Sequence, residues 1–178
     1  MNSKNINKKK LYLYDLIIFI VCVFLDRISK YFAVIKLKGH PSVPIISGIL
    51  ELRYLENYGA AFGLLQNQKI FFVFVAIIVF FTSLYIILRA PGKKKYVYIN
   101  IFLVLIMSGA IGNMCDRFIY GYVIDFIYFS IINFPVFNIA DIFVTVSTAL
   151  FVLFLLFYYK EDDLNFLKFV EKKLRDVN

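Results

Sequence analysis

The chain has 178 residues, 61% of them hydrophobic, with a mean hydropathy of +0.77 and a formal net charge of +8. It is too apolar for an ordinary soluble domain, and long enough for four membrane crossings with short connections and no separate soluble domain. One histidine (His40) and two cysteines (Cys22 and Cys115, both inside apolar runs) exclude a histidine-rich metal site and a disulfide scaffold; the basic residues flank apolar runs, which assigns them to anionic lipid headgroups and not to nucleic acid.

The chain opens on a basic tail, MNSKNINKKK, followed by an apolar run. A secretory signal also begins this way. Here the run extends to Leu37, carries Asp26, Arg27 and Lys30, and lacks a small-x-small cleavage site, so it is expected to be a retained first span. A longer segment, Lys38 to Gln68, follows. Its part from Ser42 to Tyr54 alternates weakly after turn residues, which predicts a small strand or two lying on the membrane face. That segment ends in Asn57-Tyr58-Gly59-Ala60-Ala61-Phe62-Gly63, which is either a turn into the next helix or a backbone left accessible to a bound molecule.

Ile70 to Leu88, Tyr96 to Cys115 and Ile142 to Tyr159 carry no charge. Each approaches the roughly 20 residues a helix needs to cross the hydrocarbon core. They are continuously apolar, without the two-residue alternation of a barrel strand. The predicted architecture is a single integral membrane domain, 1–178, with spans at about 13–35, 70–89, 96–116 and 140–159. It is an all-α membrane protein: four transmembrane helices with a small extracytoplasmic β-like segment between helices 1 and 2. The absence of tryptophan leaves the thirteen tyrosines to supply an interfacial belt.

Orientation follows from the basic residues. With both termini inside, thirteen of the twenty lysines and arginines fall in inner segments, including Lys8, Lys9, Lys10, Arg89, Lys93, Lys94 and Lys95. The expected topology is N-in, C-in, with the tail after Lys160 a cytoplasmic amphipathic end. Asp26, Asp116, Asp125 and Asp141 then lie at or near the outer boundary. Ser108, Gly109, Ala110 and Gly112 precede that boundary on the third span, where small residues permit close helix approach.

Ionised groups in hydrocarbon cost several kcal/mol, roughly 2.5 to 3.5 on insertion scales. The polar residues of this region therefore call for a use. Asp26 and Lys30 are four apart and share a helix face, as a structural ion pair or as part of a site. Asn113 and Arg117 are one turn apart and could face a common cavity, whereas Asp116 is expected to be an ordinary helix-end residue. Asp125 stands isolated in the apolar, membrane-hugging stretch Tyr122 to Phe129, where desolvation raises the pKa of a carboxyl. Asn138 reads as an N-cap with Asp141 in the first turn, a role that by itself requires no chemistry of Asp141.

Considered together, two neighbouring carboxyls tend to share one proton near neutral pH. One can take a proton from water as the other donates to a scissile carbonyl, which is peptide hydrolysis without metal, cofactor or covalent intermediate. Asn and Arg side chains nearby would orient the substrate and stabilise developing charge. The rival reading is a small proton-coupled membrane transporter, since intramembrane aspartates also serve proton relays. Against it, the charges gather at one face and no inverted repeat is visible.

The ordered set Asp26-x-x-x-Lys30, Asn57-x-Gly-Ala-Ala-Phe, Gly112-Asn113-x-x-Asp116-Arg117-x-x-x-Gly121-x-Val123-x-Asp125-Phe126 and Phe137-Asn138-x-Ala140-Asp141 resembles the bacterial lipoprotein signal peptidases (signal peptidase II), over about Leu16 to Tyr159. The resemblance implies an aspartyl endopeptidase of the bacterial cytoplasmic membrane, multi-pass, its active site near the outer face. It implies Asp125 and Asp141 as the catalytic pair, with Asn57, Asn113, Arg117, Asn138, Asp26 and Lys30 lining or supporting a substrate site. The implied substrates are diacylglyceryl-modified prolipoproteins, cleaved before the lipidated cysteine. Membrane lipids are the implied surroundings, and globomycin-type cyclic peptides the implied inhibitors.

Overall fold

Asn7 starts the first helix: its Oδ1 accepts from the backbone N–H of Lys9 (2.9 Å) and Lys10 (3.4 Å), satisfying two amides that have no partner within the helix. In the computed structural model, which describes residues 5–59 and 65–167, α1 then runs Lys8–Leu37. A hairpin of β1 (Val43–Ile46) and β2 (Leu50–Asn57) follows, then α2 (Lys69–Arg89), α3 (Val97–Ile119), β3 (Val123–Phe129) and α4 (Ile139–Phe157). A 3-10 segment, Glu161–Leu167, succeeds α4. The Ala60–Gly63 part of the Asn57–Gly63 motif and the tail from Lys168 lie outside the described residues.

On length and composition α2, α4 and α3 (taken with the 3-10 turn Lys94–Tyr96 before it) can cross a membrane. α1 is long enough, 30 residues or about 45 Å, but is interrupted by Asp15, Asp26, Arg27 and Lys30. The central helix is α3: half of its apolar stretch is buried, against 17% for α2 and 11% for α4, and it packs on all three other helices. Glycine makes the α3–α4 contact possible. A Cβ at Gly109 would lie 2.4 Å from the Ala140 carbonyl oxygen and 2.7 Å from Val144 Cγ2.

The two ends of the bundle differ. At one, Ile6 N–H donates to the Gly92 carbonyl (2.8 Å), Lys95 pairs with Asp163, and Tyr159 Oη donates to the Lys95 carbonyl (2.8 Å). The chain's N-terminal segment, the α2–α3 turn and the 3-10 segment after α4 therefore meet there. At the other lies a three-stranded antiparallel sheet in the order β1-β2-β3. The weak alternation before Tyr54 corresponds to β1 and β2. The third strand departs from expectation: the stretch read as membrane-hugging is β3, paired with β2. Its β-branched and aromatic residues suit a strand. Both of its faces are covered, with Val123, Ile124, Asp125 and Phe126 all buried, so no hydrophobic alternation marks it. Gly121, at φ +87°, provides the left-handed turn by which the chain leaves α3 for this strand.

Candidate active site

Alternate residues of β3 point to opposite faces. Ile124 and Phe126 pack with Ala33 and Leu37 of α1, while Val123 and Asp125 line a cavity of about 370 Å³ on the other side. Asn57, Gly59, Asn113, Arg117, Asp141 and the segment Phe134–Phe137 also line it. Four main-chain hydrogen bonds close this segment onto the strand: Phe126 N–H (3.0 Å) and Ile127 N–H (2.8 Å) donate to the Phe137 carbonyl, Phe137 N–H to the Ile127 carbonyl (3.0 Å), and Phe134 N–H to the Phe129 carbonyl (3.1 Å). That pairing delivers Asn138 to Asp125.

Asn138 heads α4 in a reciprocal capping box. Its Oδ1 accepts from Asp141 N–H (3.0 Å), and Asp141 Oδ2 accepts from Asn138 N–H (3.1 Å). The expected capping role is therefore present, yet it occupies only one carboxyl oxygen of Asp141. The other, Oδ1, accepts from Asn113 Nδ2 (2.7 Å). Asn138 Nδ2 in turn donates to Asp125 Oδ1 (2.6 Å) and Asn113 Oδ1 (3.1 Å), and Asn57 Nδ2 donates to Asp125 Oδ2 (2.8 Å). Three asparagines thus hold two carboxyls around one cavity. Burial, and next the negative charge of Asp141, push Asp125 up to about 7, against the hydrogen bonds from Asn57 and Asn138.

Arg117 projects from α3 into the same cavity; its Nη2 donates to the Gly59 carbonyl (2.8 Å), and its guanidinium lies 4.2 Å from the Phe72 ring centre. Asp26 and Lys30 do not line the cavity. They sit behind it, 0% and 1% exposed, in a cluster with Arg27 and Asp116. Lys30 Nζ lies 3.0 Å from Asp26 Oδ1 and 2.8 Å from Asp116 Oδ2, and donates to Asn113 Oδ1 at 2.9 Å. All three ammonium protons are thereby engaged, and Lys30 does not snorkel to the interface. The Asn113 carboxamide is turned with its oxygen to Lys30 and its nitrogen to Asp141.

Asp116 corrects the sequence expectation. It is no simple helix end: it is fully buried and pairs with Arg27 Nη1 (2.7 Å) and Lys30. Its partners come from α1, nearly 90 residues earlier, so no local pattern could mark it. Elsewhere, the buried Asp15 accepts from Asn100 Nδ2 (2.7 Å), and Cys22 is buried while Cys115 is half-buried. Among the described residues no group of three or more His, Cys, Asp or Glu side chains is arranged to hold a metal.

The chain is similar to known proteins over most of its length. The family profile described as Signal peptidase (SPase) II matches residues 18–157. A lipoprotein signal peptidase of Clostridioides difficile (strain 630) is 41% identical over 146 residues, which is 82% of this chain and 96% of the relative. Another, from Streptococcus pyogenes serotype M5 (strain Manfredo), is 38% identical over 156 residues, 88% of this chain and 97% of the relative. A bacterial membrane enzyme structure obtained by the in meso method at 2.3 Å resolution superposes with a TM-score of 0.73 at 27% identity, covering 96% of this chain and all of the other. A second, at 1.9 Å, gives 0.72 at 29% identity, with 89% and 99% covered.

Proposed function

The chain belongs to the signal peptidase II family, and from that membership and the cavity's geometry we propose that Asp125 and Asp141 are its catalytic pair. It is a protease that removes signal peptides from prolipoproteins. The observation that carries the residue assignment is the asparagine lattice: Asn57 and Asn138 aim Asp125, while Asn113 and the helix cap aim Asp141, at one shared cavity. The ionised member takes a proton from the attacking water; the protonated member gives its proton to the scissile carbonyl oxygen. Burial and the neighbouring charge of Asp141 raise the Asp125 carboxyl, so that the pair holds a proton toward neutral pH. Arg117 and the asparagine amides supply donors where charge develops on the substrate. No step calls for a metal or cofactor.

In this reading all four helices cross the cytoplasmic membrane of a bacterium, N-in and C-in, with the cavity near the outer face. The lysines at residues 8–10 and 93–95 support that orientation, since they lie at the end of the bundle away from the sheet. α1 crosses because Asp15, Asp26 and Lys30 are buried and Arg27 pairs with Asp116 of α3, while Phe24, Tyr31 and Phe32 face outward. The substrate is a diacylglyceryl-modified prolipoprotein whose signal peptide and acyl chains both stay in the bilayer. A cavity walled by Phe134, Pro135, Val136, Ile142 and Val146 accepts such a chain from the side. Globomycin-type cyclic peptides would compete for it.

The test is cleavage by purified protein of a diacylglyceryl-cysteine precursor beside its unlipidated twin. Asp125→Asn and Asp141→Asn are each expected to remain folded and inactive, and only the lipidated precursor to be cut. Cleavage by both variants would refute the assignment.

A further inference from the structure

We propose that the ion quartet formed by buried Asp26, Lys30 and Asp116 with half-buried Arg27 fixes the spacing and the charge state of the Asp125–Asp141 pair, with Asp116 and Arg27 acting as positioning residues. The inference rests on the catalytic assignment above and extends it to residues that do not touch the cavity's contents. Its first support is a symmetry of contacts. Asp116 Oδ2 accepts from the backbone N–H of Ile124, the residue before Asp125, at 3.3 Å. Asp26 Oδ1 accepts from the backbone N–H of Ala140, the residue before Asp141, at 3.2 Å. One carboxylate of the quartet thus grips the main chain immediately ahead of each catalytic aspartate. The two carboxylates are themselves cross-linked by Arg27, 2.9 Å to Asp26 Oδ2 and 2.7 Å to Asp116 Oδ1, and by Lys30.

The second support is rigidity. Arg27 Nη2 donates to the Gly112 carbonyl (3.1 Å), and a Cβ at Gly112 would lie 2.6 Å from Asp26 Oδ2, so α3 leaves the quartet no slack. A displacement of about 1 Å near reacting groups can cost about 100-fold in rate. The third is electrostatic. Two acids and two bases sum to zero, so the intact quartet imposes no net charge on the pair. Removing one member leaves an uncompensated charge in a buried, poorly screened place. The charged groups facing Asp125 are Asp141 from α4, Lys30 from α1 and Arg117 from α3, with neutral Asn57 and Asn138 beside it. Lys30 already draws the Asp125 pKa down.

The sign of the effect distinguishes this from a merely structural role. Asp116→Asn leaves a net positive quartet, which favours the ionised pair and moves the whole pH–activity profile to lower pH. Arg27→Gln leaves a net negative one and moves it to higher pH. Shifts of about half a unit to one unit are expected, with kcat down about tenfold or more and KM changed by less than about threefold. The neutral double variant Arg27→Gln/Asp116→Asn should return the profile to its wild-type position. Asp116→Glu keeps the charge but displaces the carboxylate; it should lower kcat about tenfold with the profile unmoved.

The measurement is kcat and KM for the lipidated precursor from pH 4 to 9, in lipid nanodiscs, with Asp125→Asn and Asp141→Asn run in parallel. Profiles that stay put or move the same way in the two single variants would overturn the proposal. So would an Asp116→Glu enzyme within about threefold of wild type, and this arm decides if the uncharged variants do not fold. Inactive Asp125 and Asp141 variants beside normal quartet variants sink only this inference. Active Asp125 and Asp141 variants sink the catalytic assignment itself.

Discussion

Gly109→Ala is the sharpest test of how the helices set the site. The added methyl would sit 2.4 Å from the Ala140 carbonyl oxygen and 2.7 Å from Val144 Cγ2, while ordinary contact begins at 3.4 Å. The nearest obstacle is backbone, so α4 must retreat from α3 by about 1 Å. Overpacking of this kind costs typically 1–3 kcal/mol. The retreat is largest beside Ala140, adjacent to Asp141, whose Oδ1 accepts from Asn113 of α3 at 2.7 Å. A 1 Å opening carries that contact past hydrogen-bond range. The expected result is a lowered Tm together with a loss of about 100-fold in kcat/KM. Thermal unfolding in detergent and steady-state cleavage of lipidated precursor measure the two. A Gly109→Ala enzyme with activity within about threefold of wild type would refute the claim that the α3–α4 distance positions Asp141.

Other expectations follow from the same geometry. Burial and the charge of Asp141 push the Asp125 carboxyl of the folded state up to about 7 from an ordinary 3.8. Between those values the folded protein holds the proton more tightly than the unfolded chain, so stability falls as pH rises through this window. Asp125→Asn removes that dependence; above pH 7 it should be more stable than wild type, and equal Tm–pH curves for the two would contradict the buried, raised carboxyl. EDTA should leave cleavage unchanged if, as proposed, two carboxyls carry the proton transfers; loss of activity restored by added zinc would argue for a different chemistry. Arg117→Lys keeps the charge but gives up the planar contact over Phe72 with the simultaneous bond to the Gly59 carbonyl. A drop of about tenfold in kcat/KM is expected, and wild-type kinetics would show that the guanidinium shape is immaterial.

Much of the site is legible in the chain because polar residues in apolar surroundings are conspicuous. Asn113, Asp125 and Asp141 stand out in that way, Arg117 by its one-turn spacing from Asn113 and Asn57 only through the family motif, and all five line one cavity. The three uncharged runs are equally plain, since composition and length alone mark α2, α3 and α4. Asp116 is misread from sequence because a carboxylate followed by an arginine near a helix end has an ordinary solvent-facing explanation; its true partners, Arg27 and Lys30, lie on another helix. The strand β3 escapes notice for a related reason. A strand covered on both faces loses its two-residue alternation, and a short apolar run then looks the same whether it pairs with a sheet or rests on lipid.

By itself the sequence determined the long apolar helices, the basic end of the bundle, the cap at Asn138 and the small residues of α3, because propensity, periodicity and charge act over a few neighbouring residues. The tertiary structure alone decided the partners. It gave Asp141 a second use beyond its cap, placed Asn138 between Asp125 and Asn113, and neutralised three buried charges and the half-buried Arg27 against one another. Hydrogen bonds and ion pairs act over about 3 Å of space whatever their separation along the chain. Residues 26, 57, 116, 125 and 141 therefore form one unit only after the helices have packed.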